Sequence, residues 1–295
     1  MLRDADIAVD TLGLGGDKLL NTLRQRWLRL ASRWTGPIDT QIFVERIYPL
    51  CLPLARRNLL IPNPEWTTRE HLSLLPGFQR ILCKTRHATD IFTALGCAST
   101  FIGFTSEDRF DPDVLRERRF FHLAGRSSAK GTVTLLAAWR RHPEWPPLTV
   151  VQGSKTAAPA SPAGNIEHVI GHVDGARLRR MQNQHAFHIC PSEAEGFGHY
   201  LMEGLSVAAV VLATDGAPMN ELVTPERGLL IPPARTGTLN LAPRYFVDVA
   251  GIEEAVESAL RLDQEQRALL GNAARRFFLD NDQAFRQRLV DAIRR

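Results

Sequence analysis

The sequence predicts an α/β protein of two Rossmann-like domains, each a parallel sheet flanked by helices, with a cleft between them. Three observations carry this reading. Apolar runs of strand length alternate with helix-periodic segments almost from end to end. One charged, proline-containing stretch, "SEDRFDPDVLRERR", interrupts the alternation, which then restarts. Glycine-rich turns follow several of the apolar runs, at the strand ends where open α/β sheets bind ligands. With 295 residues, 44% of them hydrophobic, the chain can fill two cores of ordinary size. The predicted domains are 1–112 and 113–281, followed by a terminal helix, 282–295.

In chain order, "ADIAVD" reads as a first strand ending in the turn "LGLGG". A helix is predicted from Asp17 to about Arg33, with Leu19, Leu20, Leu23, Trp27, Leu28 and Leu30 along one side. That side is expected to dock on the protein's own sheet, leaving the arginines solvated; the alternative reading has Trp27 and Trp34 dipping into a membrane interface with Arg24, Arg26, Arg29 and Arg33 outside. "TQIFVERIY", "RNLLIP", "RILCK" and "STFIGFT" read as strands, with the helix "HATDIFTAL" before the last. After the link come strand "RFFHLAG", helix "GTVTLLAAWRRH", strands "LTVVQG" and "IEHVIGHV", helix "ARLRRMQNQH" and strand "FHICPS". Helix "YLMEGLSVA", strand "AVVLATD", short helix "NELV" and strand "RGLLIP" follow. Helices over Ile252–Leu262, about Gln264–Phe278 and Ala284–Ile293 complete the chain.

Composition narrows the function. No apolar run is long enough to span a bilayer. The N-terminal stretch lacks the basic-then-apolar order of a secretory signal. The four scattered cysteines have no metal spacing and suit a reducing cytoplasm. A net charge of +4 suits a nucleotide phosphate or an anionic membrane surface, including a peripheral site on the inner face of the membrane. No nucleic-acid motif is present, and no nucleic-acid partner is expected. "GLGG" is not the six-residue dinucleotide fingerprint, which argues against a nicotinamide enzyme.

The most informative stretch is "HICPSEAEGFGHYLMEGLSVAAVVLATDGAPMNEL". If "AFHICPS" is a strand and a helix starts near His199, Glu195 sits in the loop at the strand's carboxyl end. Glu203 then sits near the start of the helix. Gly196 and Gly198 allow a ligand close to the backbone, and Phe197 lies between them. Carboxylates only accept hydrogen bonds, so this pair suits a ligand rich in hydroxyls, such as a sugar nucleotide. Its diphosphate would need cations, and "GRSSAKG" supplies Arg126 and Lys130 between another strand and helix.

"PSEAEGFGHYLMEGLSVAAVVLATDGAPMNELV…GLLIPP" resembles the donor-binding segment of retaining GT-B glycosyltransferases, with their paired glutamates eight positions apart. "LAGRSSAKGTVTLLAAW" is similar to their phosphate-binding segment. The resemblance is specific over Leu123 to Pro233. His199-Tyr200 stand where Leu-Pro is usual, and the Arg-to-Lys spacing is short. The resemblance implies retaining transfer from a nucleotide-diphosphate sugar, used as substrate, to an acceptor: a glycan, a lipid-linked sugar or a protein. No cofactor or metal is implied. It assigns Glu203 to the ribose hydroxyls, Glu195 to the donor sugar and the reacting face, and Arg126 and Lys130 to the leaving diphosphate. Amides of Gly196, Phe197 and Gly198 would touch sugar and phosphate, and His172 and Val173 would hold the base. Gly15 and Gly16 would bring the first helix near the donor. His87 would stand where relatives carry a histidine near the anomeric carbon. The terminal helix would return to the first domain. A degenerate nucleotide-binding subunit and a sugar-nucleotide epimerase share these features.

Overall fold

The computed structural model describes residues 2–14, 17–157 and 163–295. The chain divides into two compact units: Met1–Gly103 with Gln283–Arg295, and Phe104–Asp282. Residues 104–112 belong to the second unit because their polar groups are tied there. Arg275 pairs with Asp108, Ser206 Oγ accepts from the Arg109 amide, and Asn183 accepts from the Asp111 amide.

The first unit contains α1 (Lys18–Thr35), β1 (Ile38–Val44), β2 (Ala55–Ile61), α2 (Arg69–Leu72), β3 (Arg80–Cys83), α3 (Arg86–Ala94) and β4 (Ser99–Phe101). Its four strands lie in the order β1-β2-β3-β4, all parallel. β2 and β3 are mostly buried, as central parallel strands covered on both faces must be. The predicted strand at 5–10 does not form. Residues 7–14 have no regular structure, and the Val9 carbonyl accepts from Arg3 at 3.0 Å.

The first helix also corrects its expected orientation. Its buried residue is Gln25, with Asn21, Thr22, Leu28 and Ser32 half-buried beside it. This largely polar side packs toward the turn Pro49–Leu54. Leu19, Leu20, Leu23, Trp27, Leu30 and Trp34 face outward.

The second unit contains β5 (Glu117–Gly125), α4 (Thr132–Arg141), β6 (Leu148–Gln152), β7 (Ile166–Ile170), α5 (Gly175–Gln184), β8 (His185–Cys190) and α6 (His199–Ser206). It continues with β9 (Val210–Thr214), α7 (Met219–Leu222), β10 (Gly228–Ile231), the antiparallel hairpin β11 (Arg235–Leu239) and β12 (Ala242–Phe246), and α8 (Val249–Arg261). The hairpin has no counterpart in the sequence reading. The last helix, α9 (Gln264–Arg294), is continuous where two helices are expected, since no Gly or Pro breaks "LDNDQA". Its final residues belong to the first unit. There Arg288 lies over the Phe101 ring, and Arg57 donates to the Ile293 carbonyl.

Six parallel strands run β10-β9-β8-β5-β6-β7. Numbered within the unit, this is the 3-2-1-4-5-6 order of doubly wound sheets, read from the other edge. Its reversal point lies between β5 and β8, the switch point where such sheets bind ligands. Below it, Phe120, Trp139, Phe187, Leu135 and Ile252 form a closed core, with Phe120 stacked on Phe187 at 4.7 Å.

Candidate active site in the second unit

The loops after β5 and β8 flank the switch point, and between them they carry Arg126, Lys130 and Glu195. Their spacing is set by backbone contact. The Glu193 amide donates to the Ala129 carbonyl at 3.0 Å. Gly131 caps α4 at φ +66°, and a Cβ there would come within 2.3 Å of the Pro191 carbonyl oxygen. Only glycine permits this approach.

A buried imidazole supports the first loop from beneath. His122 Nδ1 lies 2.8 Å from the Ile189 carbonyl, and Nε2 lies 2.9 Å from the Thr132 hydroxyl. A carbonyl only accepts, so Nδ1 carries the proton and Thr132 donates to Nε2. Burial pushes the His122 pKa down to about 4, which keeps the ring neutral. One histidine thus joins β5, β8 and the first turn of α4.

Lys130 forms an ion pair with Glu195, and both side chains are largely buried. Ser192 also donates to Glu195 and shares a hydrogen bond with the Tyr200 hydroxyl. The Lys130 ammonium lies 3.9 Å from the centroid of the Tyr200 ring. Ser192 is fixed in turn by Thr214 of β9, which donates to its carbonyl at 2.8 Å.

Glu203 lies in the second turn of α6, which starts at His199. Its carboxylate accepts from Gln182 Nε2 at 2.7 Å. Burial raises its pKa, and the Gln182 hydrogen bond and the charges of Arg109 and Lys130 oppose that shift. Lys130 therefore pairs with one glutamate and acts on the other through its field. Gln182 is held by His188, whose Nε2 donates to its carbonyl at 2.9 Å. Burial lowers the His188 pKa to about 3.

Gly196, Phe197 and Gly198 are buried at the entry to α6. Gly198 has φ +107°, and a Cβ there would meet Leu201 at 2.7 Å. Phe197 packs edge-on against Phe104 at 5.4 Å, so its ring fills the core. Arg126 is exposed on its loop and has no ion-pair partner among the described residues. His172 and Val173 follow β7; His172 is exposed, and Val173 packs against the Phe121 cluster. His87 lies in the first unit, half-buried in the first turn of α3. Gly15 and Gly16 lie outside the described residues.

Sequence reasoning missed three supports. Gln182 sits in a basic helix with no signal of its role. His122 reads as an ordinary strand residue. The hairpin β11–β12 holds the Glu195 loop: Arg244 pairs with Glu193, and the Tyr245 amide donates to the Glu193 carbonyl at 2.7 Å. In the first unit, Lys84 is buried at the carboxyl end of β3. It donates to Glu45 at 2.9 Å and to Asn63 at 2.8 Å.

Two parallel sheets flanked by helices, the second in doubly wound order with this polar cluster at its switch point, define the GT-B fold. Solved structures share it at low identity. The pneumococcal O-GlcNAc transferase GtfA, in complex with UDP and GlcNAc, is similar at a TM-score of 0.65 and 12% identity over 92% of this chain. This chain spans 60% of the length of that transferase. A trehalose-6-phosphate synthase, studied for glycosyl transfer with retention, is similar at 0.68 and 11% over 96% of this chain and 80% of its own. HepE from Anabaena, in complex with UDP and glucose, is similar at 0.67 and 12% over 99% and 87%. No protein-family model and no curated protein matches the chain.

Proposed function

We propose that the protein is a glycosyltransferase that moves a sugar from a nucleoside-diphosphate donor to an acceptor hydroxyl with retention of anomeric configuration. The observation that carries this reading is the Lys130–Glu195 ion pair at the switch point, with a second half-buried glutamate, Glu203, within reach of the same lysine's field. The arrangement meets the needs of a sugar nucleotide at both ends. Glu203 takes the ribose hydroxyls, whose O–H groups replace the hydration it has lost. Lys130 has three N–H donors, so it can hold Glu195 and a phosphate oxygen together. Arg126 and the N-terminus of α4 add positive potential where charge builds up on the leaving diphosphate.

In the transfer, the anomeric C–O bond to the diphosphate breaks and the acceptor oxygen bonds to the same face of that carbon. The acceptor's proton passes to the departing phosphate oxygen. Glu195, held by Lys130 and Ser192, orients the donor sugar. The base would rest against the backbone of His172 and Val173. UDP in the GtfA and HepE complexes makes a uridine donor the first to try.

The test is incubation with UDP-, GDP-, ADP- and dTDP-sugars while nucleoside diphosphate release is followed. Glu203→Ala should weaken donor binding about 100-fold, in line with the loss of charged hydrogen bonds of about 1.5–3 kcal/mol. Unchanged affinity and turnover in that variant would remove the ribose assignment. Binding with no nucleoside diphosphate released by any acceptor mixture would favour a nucleotide-binding subunit. A changed sugar still attached to its nucleotide would favour an epimerase.

A further inference from the structure

The first helix turns its apolar side away from the protein. Leu19, Leu20, Leu23, Trp27, Leu30 and Trp34 fall within a sector of about 100° when α1 is wound at roughly 100° per residue. All six are exposed, with Leu19 at 70%, Trp27 at 65% and Trp34 at 78%. The stripe runs the length of the helix, about 27 Å. Exposed Leu12 and Ile38 lie on the segments just before and after it.

The charges beside the stripe are all of one sign. Arg26, Arg29 and Arg33 lie along one border and Arg24 along the other. The helix contains no acidic residue, and among the described residues none of these arginines has an ion-pair partner. A purely apolar partner would leave four cations without counter-charge. A two-fold copy of the chain would set arginine against arginine. Nucleic acid would use the arginines and leave six large apolar side chains in water. An anionic bilayer surface takes both sets: acyl chains receive leucine and tryptophan, and headgroups receive the guanidinium groups. Tryptophan also prefers the depth between headgroup and chain. Among the described residues no helix is long and apolar enough to cross a membrane, so the helix would lie in the plane of the surface.

We infer that α1 is an interfacial helix that seats the first unit on an anionic lipid surface. The chain should co-sediment with vesicles of equal parts phosphatidylcholine and phosphatidylglycerol, and much less with pure phosphatidylcholine. Raising the salt should release it. Replacing Arg26, Arg29 and Arg33 by Gln, all exposed, should lower the partition coefficient about fivefold per arginine. Trp27→Ser with Trp34→Ser should abolish the blue shift of tryptophan fluorescence that vesicles produce, with circular dichroism confirming the fold. Failure of the wild-type chain to bind anionic vesicles overturns the inference. So does equal, salt-independent binding to both vesicle types, or a wild-type dimer that ignores vesicles and dissociates when the tryptophans are replaced. None of these readouts involves a nucleotide, so they stand apart from the proposed activity.

Discussion

The two units follow the same rule of parallel strands with helical crossovers, yet the tryptophans on α4 and on α1 are placed in opposite ways. In the second unit Trp139 is fully buried, edge-on to Phe120 at 5.0 Å, with its indole N–H donating to the Pro146 carbonyl at 3.0 Å. In the first unit Trp27 and Trp34 stand in solvent while Gln25 is buried behind them. One sheet has six strands and uses its apolar surface to hold itself together. The other has four and buries Leu59, Leu60, Ile81 and Leu82 in the same way, but α1 beside it leaves a long apolar strip unused for folding. An amphipathic pattern therefore establishes that a helix has an apolar face, but not that the face points to the protein's own core.

The sharpest way to break this comparison is to truncate the matching side chain in each unit. Trp139→Ala should cost about 3–5 kcal/mol, read as lost hydrogen-exchange protection across residues 117–260. If that change were tolerated, the second unit would not be the self-sufficient core described. Next in size is Lys84→Ala in the first unit. It removes the ammonium shared by Glu45 and Asn63, which keep their own hydrogen bond at 3.2 Å, and should cost about 2–3 kcal/mol in urea unfolding, less than a fully enclosed pair because Glu45 is partly solvated.

Acid should separate the units by titration. His122 and His188 belong to the second unit, with folded pKa values of about 4 and about 3 against an ordinary 6.5. The unfolded chain binds protons below pH 6.5 that the folded chain refuses. The contribution of these two histidines is therefore flat above that pH and falls as pH drops from 6.5 toward 4, by about 1.4 kcal/mol per pH unit for each. His188→Gln should flatten the decline, checked by urea midpoints across that range. The smallest effect sharpens the contrast most. Trp27→Ala should change stability by no more than about 0.5 kcal/mol in solution. A loss comparable to that of Trp139→Ala would mean that the outward stripe is core after all.

Much of the second unit is legible in the sequence because its strands are continuous apolar runs. "FHICPS" and "AVVLATD" can be little else, and β8 and β9 are buried along their whole lengths. Their order in the sheet places the basic loop beside the acidic one. The hairpin β11–β12 escapes because Gly237 and Pro243 interrupt its alternation. The false strand at "ADIAVD" has the right composition but no neighbour to pair with, and strand propensity expresses fit to a sheet rather than a property of the segment alone. The Lys130–Glu195 contact spans 65 residues of chain, and no local spacing encodes it. Gln182 and His122 act through partners in three dimensions and leave no trace in one.

The meeting of Gly131 with the Pro191 carbonyl has a consequence for descent. A side chain at 131 could be accepted only if the backbone at 191 withdrew, which would part the two loops. In any homologue that keeps this geometry, the two positions should change together or not at all. A gathered set of relatives would reveal that partnership as covariation between sites sixty residues apart.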